Sequence, residues 1–202
     1  MEKIIFHKET KTFHLYNEEI SYIMCVLENG HMGQLYYGKR IHDKPDFSYL
    51  VEKCGRPMTS YIFEGDRSFS LEHIRQEYPV YGTTDYRHPA IEIMQENGSN
   101  ISEFKYVGYE ILKGKPSLKG LPATYTESEE EAETLKIILK DNLTGAKLTL
   151  LYTIFSKGSA IARSAHICNE GEKVLHLQTM MSLNLDLPDK DYVWMQLSGA
   201  WS

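Results

Sequence analysis

Short runs of apolar and β-forming residues, separated by turn residues, recur along the whole chain. The first series covers residues 4–6, 12–16, 21–27, 34–41, 60–63, 91–94 and 104–112. The second series covers residues 135–140, 147–155, 160–169, 174–185 and 192–197. No stretch keeps the apolar period of an α-helix over several turns. The pattern therefore predicts an all-β fold, an antiparallel sandwich or barrel.

Turn signals between the runs predict three hairpins. Asn29-Gly30 lies between two β-type runs and favours positive φ at both residues of a tight turn. The segment 141–145 and the pair Glu170-Gly171 separate later runs in the same way. In the last hairpin, a short turn would place His166 opposite His176 on the neighbouring strand.

Other segments lack strand patterns and are interpreted as loops. The stretches 45–67 and 65–89 have weak periodicity, and long loops on a β scaffold often carry function. The acidic run 126–135 has no apolar stripe and is interpreted as a solvated loop that leads into a strand. The glycines at 30, 33 and 38 precede a Lys-Arg pair but do not have the spacing of a phosphate-binding loop, which favours a turn and a strand instead.

The composition is that of an ordinary globular domain, with 42% hydrophobic and 25% charged residues among 202. An all-β chain of this length is commonly one domain. The net charge of −6 provides no basic face for nucleic acid. No apolar segment is long enough to cross a membrane, and residues 1–16 lack the apolar region of a signal peptide. We therefore expect a cytoplasmic protein without nucleic-acid or membrane partners.

Candidate residues for chemistry are few, and each has a structural alternative. Acid/base pairs could come from Asp43 with Asp46, from Asp85, or from the cluster Asp186, Asp189 and Asp191, although loop carboxylates usually serve solvation. His166, Cys168 and His176 could bind zinc or be ordinary sheet residues. The three cysteines indicate no disulfide framework, and no nucleophile-elbow motif occurs. Fourteen tyrosines offer faces for sugar stacking, or simply suit strands and interfaces.

Three segments occur in a characteristic order along the chain. They are NGHMGQLYYGKRI at 29–41 followed by DFSYL at 46–50, then QEYPVYGTTDYRHPAIEI at 76–93, and finally MQLSGAW at 195–201. Together they resemble the N-terminal β-sandwich domain of bacterial glycoside hydrolase family 36 α-galactosidases. The middle segment is the most specific, with Gly82, Asp85, Arg87 and Pro89.

The resemblance implies a large antiparallel supersandwich of the galactose-mutarotase-like kind. Residues 1–202 would form this single domain and end just before a catalytic TIM barrel. The parent enzyme would hydrolyse terminal α-1,6-linked galactose in melibiose and raffinose with retention of configuration, without a cofactor or metal, as a homo-oligomer, specifically a tetramer. Both catalytic aspartates would lie in the barrel. No catalytic residue is therefore assigned here, and the 202-residue chain alone is expected to be inactive.

The loop after the strand at 34–41 is the predicted substrate-binding region. By resemblance it approaches an active site, either that of its own barrel or that of a neighbouring subunit. Its carboxylates and aromatic rings suit sugar hydroxyls and sugar faces. The residues assigned to galacto-oligosaccharide binding are His42, Asp43, Asp46, Phe47 and Tyr49. The alternatives are a polar surface loop with Phe47 buried and, for the whole chain, a stand-alone carbohydrate-binding or structural β-sandwich.

Overall fold

The computed structural model describes residues 3–120 and 123–199 and is built almost entirely of strands. The strands are β1 (Ile4–His7), β2 (Thr12–Tyr16), β3 (Ile20–Val26), β4 (Met32–Lys39), β5 (Ile91–Gln95), β6 (Phe104–Lys113), β7 (Ala132–Asp141), β8 (Ala146–Phe155), β9 (Ile161–Asn169) and β10 (Leu175–Met180). Two single 3₁₀ turns, Ser48–Leu50 and Glu129–Glu131, interrupt them. No helix in the described ranges has the length and apolar character needed to span a membrane. The predicted all-β class is confirmed.

The first sheet is an antiparallel meander in the order β1-β2-β3-β4. The predicted turn between β3 and β4 forms, with the Gly30 N–H donating to the Leu27 carbonyl at 2.8 Å. Gly30 has φ 88°, whereas Asn29 stays outside the left-handed region. The prediction of positive φ at both residues is therefore wrong. The turn spans Leu27 to Gly30, so a single glycine at its end is enough to reverse the chain.

The second sheet is another meander, in the order β6-β7-β8-β9. Its β7–β8 hairpin forms at the predicted place, where the Gly145 N–H donates to the Asp141 carbonyl at 2.9 Å and Gly145 has φ 76°. The acidic run forms the exposed 3₁₀ turn Glu129–Glu131 and then enters β7, as the sequence predicts.

In the described part of the chain, the third sheet consists of β5 and β10, and this pairing overturns the last predicted hairpin. β10 pairs with β5, with His176 opposite Met94, whereas His166 lies opposite Thr149 in the β8–β9 pair. The chain thus leaves one sheet after β9 and enters another. The pair Glu170-Gly171 correctly indicates a turn between two strands. The local sequence does not reveal which strand β10 pairs with.

Two predicted strands are absent from the structure. Residues 60–63 lie in irregular backbone, and Phe63 makes only an isolated bridge with Asp66. Residues 192–197 are also irregular and highly exposed, with 89% of Trp194 accessible. Residues of high β-propensity form strands only where a neighbouring strand and a buried face are available. The end of the third family segment, Ala200 and Trp201, lies outside the described residues.

The main hydrophobic core lies between the first and second sheets. Alternate residues of each strand point into it, including Phe13 and Leu15 from β2 and Leu135 and Ile137 from β7. Lys136, between these last two, points away and pairs with Glu110. In the second sheet, this alternation is what the sequence pattern predicts for strands that bury one face.

A buried ion pair sits within this core. Glu77 and Arg163 approach to 3.1 Å, with 0% and 9% of their side chains exposed. Tyr22 and Tyr152 each donate a hydroxyl hydrogen bond of 2.8 Å to the Glu77 carboxylate. Burial raises the pKa of Glu77, and the positive charge of Arg163 acts against that rise. The group ties β3, β8 and β9 to the segment that precedes β5.

A second core lies on the opposite face of the first sheet. Its buried members are Ile23, Cys25, Leu27, Leu35, Phe47, Phe69, Leu71 and Ile74. The last four come from the long segment between β4 and β5, which is largely irregular, as predicted for this region. The first sheet is therefore covered on both faces, on one side by strands and on the other by irregular chain.

Candidate functional site

The loop of residues 42–49 follows β4 and lies against the outer face of the first sheet. The aromatic side chain of Phe47 anchors the loop. It is fully buried, and its ring centroid lies 5.5 Å from that of His14. The Thr10 hydroxyl donates to the Pro45 carbonyl at 3.1 Å. Hydrogen bonds to Ile41 and Asp43 complete the attachment. Anchors thus occur at every second residue, and the residues between them face solvent.

A chain of hydrogen bonds fastens the start of the loop to β2 and β3. The Ile41 backbone N–H donates to the Ser21 hydroxyl oxygen at 3.1 Å, and Ser21 Oγ lies 2.9 Å from His14 Nε2. His14 Nδ1 lies 2.7 Å from Asp43 Oδ1, and His7 Nε2 reaches the same oxygen at 2.9 Å. Strand register explains the convergence, because Ile5 pairs with His14 and places His7 on the same face two residues later.

The electrostatics of this cluster favour an ionised Asp43 beside a neutral His14. Burial lowers the pKa of His14 below its ordinary value, although the hydrogen bond and charge of Asp43 act to raise it. Burial acts in turn to raise the pKa of Asp43, but the hydrogen bonds from His14 and His7 outweigh it, so the pKa of Asp43 is lowered. About a third of the Asp43 side chain, 32%, remains accessible.

Ser21, His14 and Asp43 follow the order of a serine hydrolase triad, yet they cannot act as one here. Both Ser21 and His14 have 0% of their surface accessible, so no substrate carbonyl can reach Ser21 Oγ. The Ser21 oxygen also accepts the Ile41 N–H. Nucleophilic catalysis requires an accessible attacking atom. The arrangement is a structural one that the sequence analysis did not find.

The solvent side of the loop carries His42, Asp46 and Tyr49. Asp46 accepts hydrogen bonds from the Ser48 backbone N–H at 2.7 Å and from its hydroxyl at 3.0 Å, which lower the pKa of Asp46. Tyr49 is 63% exposed, and Lys44 Nζ lies 5.6 Å from its ring centroid. This side of the loop combines a carboxylate, an imidazole and an accessible ring, groups that suit sugar recognition.

The five residues of the sequence-based assignment therefore divide into two sets. His42, Asp46 and Tyr49 are exposed, whereas Phe47 is in the core and Asp43 uses one oxygen to bind His14 and His7. The buried position of Phe47 matches the alternative interpretation of this loop. A cleft of about 510 Å³ lies beside Ser48 and Tyr49 and is bordered by Thr10, Glu28, Lys53 and Phe69.

The histidines and the serine behind the loop were missed by sequence analysis. His14 is buried on the outer face of β2, and its sequence neighbours Phe13 and Leu15 point into the main core on the opposite face. A histidine inside an apolar strand is the only local signal, since its partners come from β3 and from beyond β4. Ser21 gives no signal of its own, because serine is ordinary at the start of a strand.

The specific middle motif builds structure rather than an acid/base pair. Gly82, Thr83 and Thr84 have φ values of 100°, 51° and 75°, and Gly82 and Asp85 exchange backbone hydrogen bonds across the turn. The buried Asp85 carboxylate accepts hydrogen bonds from Gln76 at 2.6 Å and from Arg87 at 3.0 Å. These bonds hold a left-handed stretch that threonine rarely adopts on its own.

The remaining candidates do not assemble into a site. Asp186 lies 3.8 Å from Arg87 and joins the same structural network. His166 and His176 occupy different sheets, so they do not face each other as a zinc pair. Within the described ranges no three His, Cys, Asp or Glu side chains are grouped as metal ligands.

Comparison with known proteins identifies one family. The profile of the glycosyl hydrolase family 36 N-terminal domain matches residues 30–202. Alpha-galactosidase AgaA of Geobacillus stearothermophilus is 41% identical over 198 residues, which are 98% of this chain and 27% of AgaA. Alpha-galactosidase 1 of Pediococcus pentosaceus is 34% identical over 99% of this chain and 27% of its own length. The chain thus spans about a quarter of these curated relatives.

Solved structures agree with the sequence comparison. The crystal structure of the alpha-galactosidase from Lactobacillus brevis superposes with a TM-score of 0.88 at 38% identity, covering 92% of this chain and 25% of that one. An AgaA variant in complex with raffinose superposes with a TM-score of 0.81 at 42% identity, covering 86% and 24%. The likeness in fold therefore extends over most of the described chain.

Proposed function

The chain belongs to the glycosyl hydrolase family 36 N-terminal domain family, and from that premise we propose that it is the N-terminal domain of a retaining α-galactosidase. The observation that carries the proposal is the 41% identity to AgaA across 98% of this chain. Identity at this level over nearly the whole chain goes beyond a shared fold, which alone would not indicate function.

In this proposal residues 1–202 are one domain that precedes a catalytic TIM barrel. The barrel supplies both catalytic aspartates, and the N-terminal domain supports the barrel. The substrate is a galacto-oligosaccharide with a terminal α-1,6-linked galactose, such as melibiose or raffinose; a relative of this chain has been crystallised with raffinose. The full-length protein acts in the cytoplasm as a homo-oligomer, specifically a tetramer, and needs no cofactor.

The loop of residues 42–49 shapes the outer side of the galactose pocket, in its own subunit or in a neighbouring one. His42, Asp46 and Tyr49 meet the sugar beyond the scissile bond, because they occupy the exposed side of the loop. Asp43 contributes its outer oxygen, while Phe47 supports the loop from the core. Galactose itself is held by the barrel.

A second candidate function is a stand-alone carbohydrate-binding module. The exposed Tyr49 ring beside a cleft of about 510 Å³ favours it, since aromatic rings at the rim of a cleft bind sugar faces without catalysis. This function requires affinity for oligosaccharide in the isolated chain and no dependence on a barrel.

Expression of the isolated chain and of the complete reading frame that contains it distinguishes the two functions. We expect the purified 202-residue chain to hydrolyse neither p-nitrophenyl α-galactoside nor melibiose, and the product of the complete frame to hydrolyse both. Turnover by the isolated chain, or none by the complete product, would overturn the proposal. Calorimetric binding of raffinose to the isolated chain, combined with an inactive complete product, would support the stand-alone module.

A further inference from the structure

One buried histidine connects two points at the start of the loop, Ile41 and Asp43, to the sheet. His14 reaches Ile41 through Ser21 on one side and reaches Asp43 directly on the other. The two attachment points lie on either side of His42, whose side chain is exposed. The direction of the backbone at His42 is therefore fixed by hydrogen bonds that converge on a single imidazole ring.

The chemistry of the partners determines where each proton lies. An ionised carboxylate only accepts, so His14 Nδ1 carries the hydrogen that Asp43 receives. A neutral imidazole has one N–H, and His14 Nε2 must then accept from the Ser21 hydroxyl. The Ser21 oxygen in turn accepts the Ile41 N–H. Each donor and each acceptor in this series then has one defined partner. The hydrogen bonds from Ile41 to Asp43 therefore specify a single arrangement of the loop.

The surroundings of His14 leave few competing partners. Asp43, His7 and Arg40 are the charged or titratable groups that affect it, and its ring lies 5.0 Å from that of Tyr16. The Arg40 guanidinium lies over the Tyr16 ring, with its central carbon 5.1 Å from the ring centroid. The Phe47 ring covers the remaining side of His14 edge-on. Water has no access, because His14 is fully buried.

We propose that His14 is a positioning residue for substrate recognition, which sets the course of loop 42–49 through Ser21, Ile41 and Asp43 and thereby places His42 and Asp46. The effect on substrate rests on the proposed function; the effect on the loop does not. His7 supports the same carboxylate from a less buried position and is the weaker partner, since it makes no second bond that reaches the loop.

Hydrogen–deuterium exchange of the loop amides, measured on the 202-residue chain, tests the positioning role. The variant His14→Phe keeps a ring but removes both hydrogen bonds, whereas His14→Asn keeps an amide N–H near the position of Nδ1. We expect His14→Phe to speed exchange at Ile41 and in loop 42–49 by about ten-fold or more, and His14→Asn to restore part of the protection. The exposed His166 provides a matched control, His166→Phe, with unchanged loop exchange.

The protonation state of the imidazole ring tests the proposal even if His14→Phe does not fold. Nitrogen-15 spectra of the unaltered chain should show His14 protonated at Nδ1 and not at Nε2. A ring protonated at Nε2, or loop exchange in His14→Asn faster than in a folded His14→Phe, would overturn the assignment. Unchanged loop exchange in a folded His14→Phe would overturn it as well.

Activity of the complete reading frame product then separates this inference from the proposed function. His14→Phe should raise KM for raffinose several-fold more than KM for p-nitrophenyl α-galactoside, with a smaller change in kcat. An inactive unaltered product together with the expected exchange pattern would refute the α-galactosidase proposal and keep the positioning role. An active product whose KM values do not change in His14→Phe would refute the role in recognition.

Discussion

The two faces of the first sheet show two ways to bury a polar group. On the inner face, Glu77 and Arg163 pair between two sheets, and neither side chain is appreciably exposed. On the outer face, Asp43 is held by two histidines but keeps about a third of its side chain in solvent. The inner pair is enclosed by regular strands, whereas the outer cluster is covered by one irregular loop.

This difference in solvent exposure implies that the inner pair contributes to stability, whereas the outer cluster allows the loop to move. A buried ion pair is costly to break, because the partner left behind is a desolvated charge. A carboxylate at the edge of a loop can reach water when a contact is lost, so the penalty is smaller and the loop can shift. We infer that the inner face preserves the sandwich and that the outer face provides the recognition surface of the proposed function.

Removal of Arg163 should have the largest effect on stability. In Arg163→Ala the Glu77 carboxylate keeps only its two tyrosine donors, and we expect the free energy of unfolding to fall by about 3–5 kcal/mol. Urea denaturation of the isolated chain measures this change. The exposed pair of Lys136 and Glu110 provides the control, since Lys136→Ala should cost at most about 1 kcal/mol. Equal losses in the two variants would contradict the contrast between the buried and the exposed pair.

The inner face was largely predictable from the sequence, and the reason is periodicity. Leu135, Ile137 and Leu139 alternate with less buried residues, and a period of two fixes both the strand and its buried face. The pairing of β10 with β5 was not predictable, because the partner lies about 80 residues away and local pattern carries no information about it. Glu77 and Arg163 were missed for the same reason.

Removal of the Phe47 ring tests whether the outer face has a true core. Phe47→Ala should lower the free energy of unfolding by about 3 kcal/mol, the low end of the range for a buried phenylalanine, because the loop can partly collapse into the space. The exposed Tyr49 nearby is the matched control, and Tyr49→Ala should stay within about 0.5 kcal/mol. A loss below about 1 kcal/mol for Phe47→Ala would mean that the loop is not anchored by its ring.

The loop of residues 42–49 was predictable in position but not in internal organisation, and its role in substrate binding stays a prediction. The segment DFSYL and the loop before it were found from family resemblance, and the loop lies at the surface as expected. The division of the loop into exposed residues and anchors depends on contacts of Phe47 with β2 and of Asp43 with His7 and His14. Such contacts join residues about 30 positions apart, so no local pattern reveals them.

Changes on the exposed side of the loop should affect substrate use with little effect on folding. In the complete reading frame product, His42→Ala and Asp46→Ala should each raise KM for raffinose more than KM for a small aryl galactoside, because in the proposed function only the longer substrate reaches the loop. Loss of one charge-assisted hydrogen bond corresponds to about 1.5–3 kcal/mol, roughly ten-fold or more in kcat/KM. Lys136→Ala serves again as the control. Equal effects on both substrates would leave the loop with a structural role only.

The smallest expected effect is a pH dependence of stability that originates on the outer face. Burial lowers the pKa of His14 in the folded chain, while the unfolded chain keeps the ordinary value of 6.5. The unfolded state therefore binds a proton first as the pH falls through 6.5, and folding stability decreases until the folded His14 also becomes protonated. Above 6.5 both states are neutral at this residue, so its contribution to stability is complete.

Comparison of the unaltered chain with His14→Asn isolates this contribution. Burial also lowers the pKa of His31 and raises that of Glu77, so the total pH dependence has several sources. Those groups are present in both proteins and cancel in the difference between them. We expect the urea midpoint of the unaltered chain to fall more between pH 7.5 and pH 5.5 than that of His14→Asn. A larger fall in the variant would mean that protonation of His14 stabilises the folded chain, contrary to the lowered pKa that burial gives this residue.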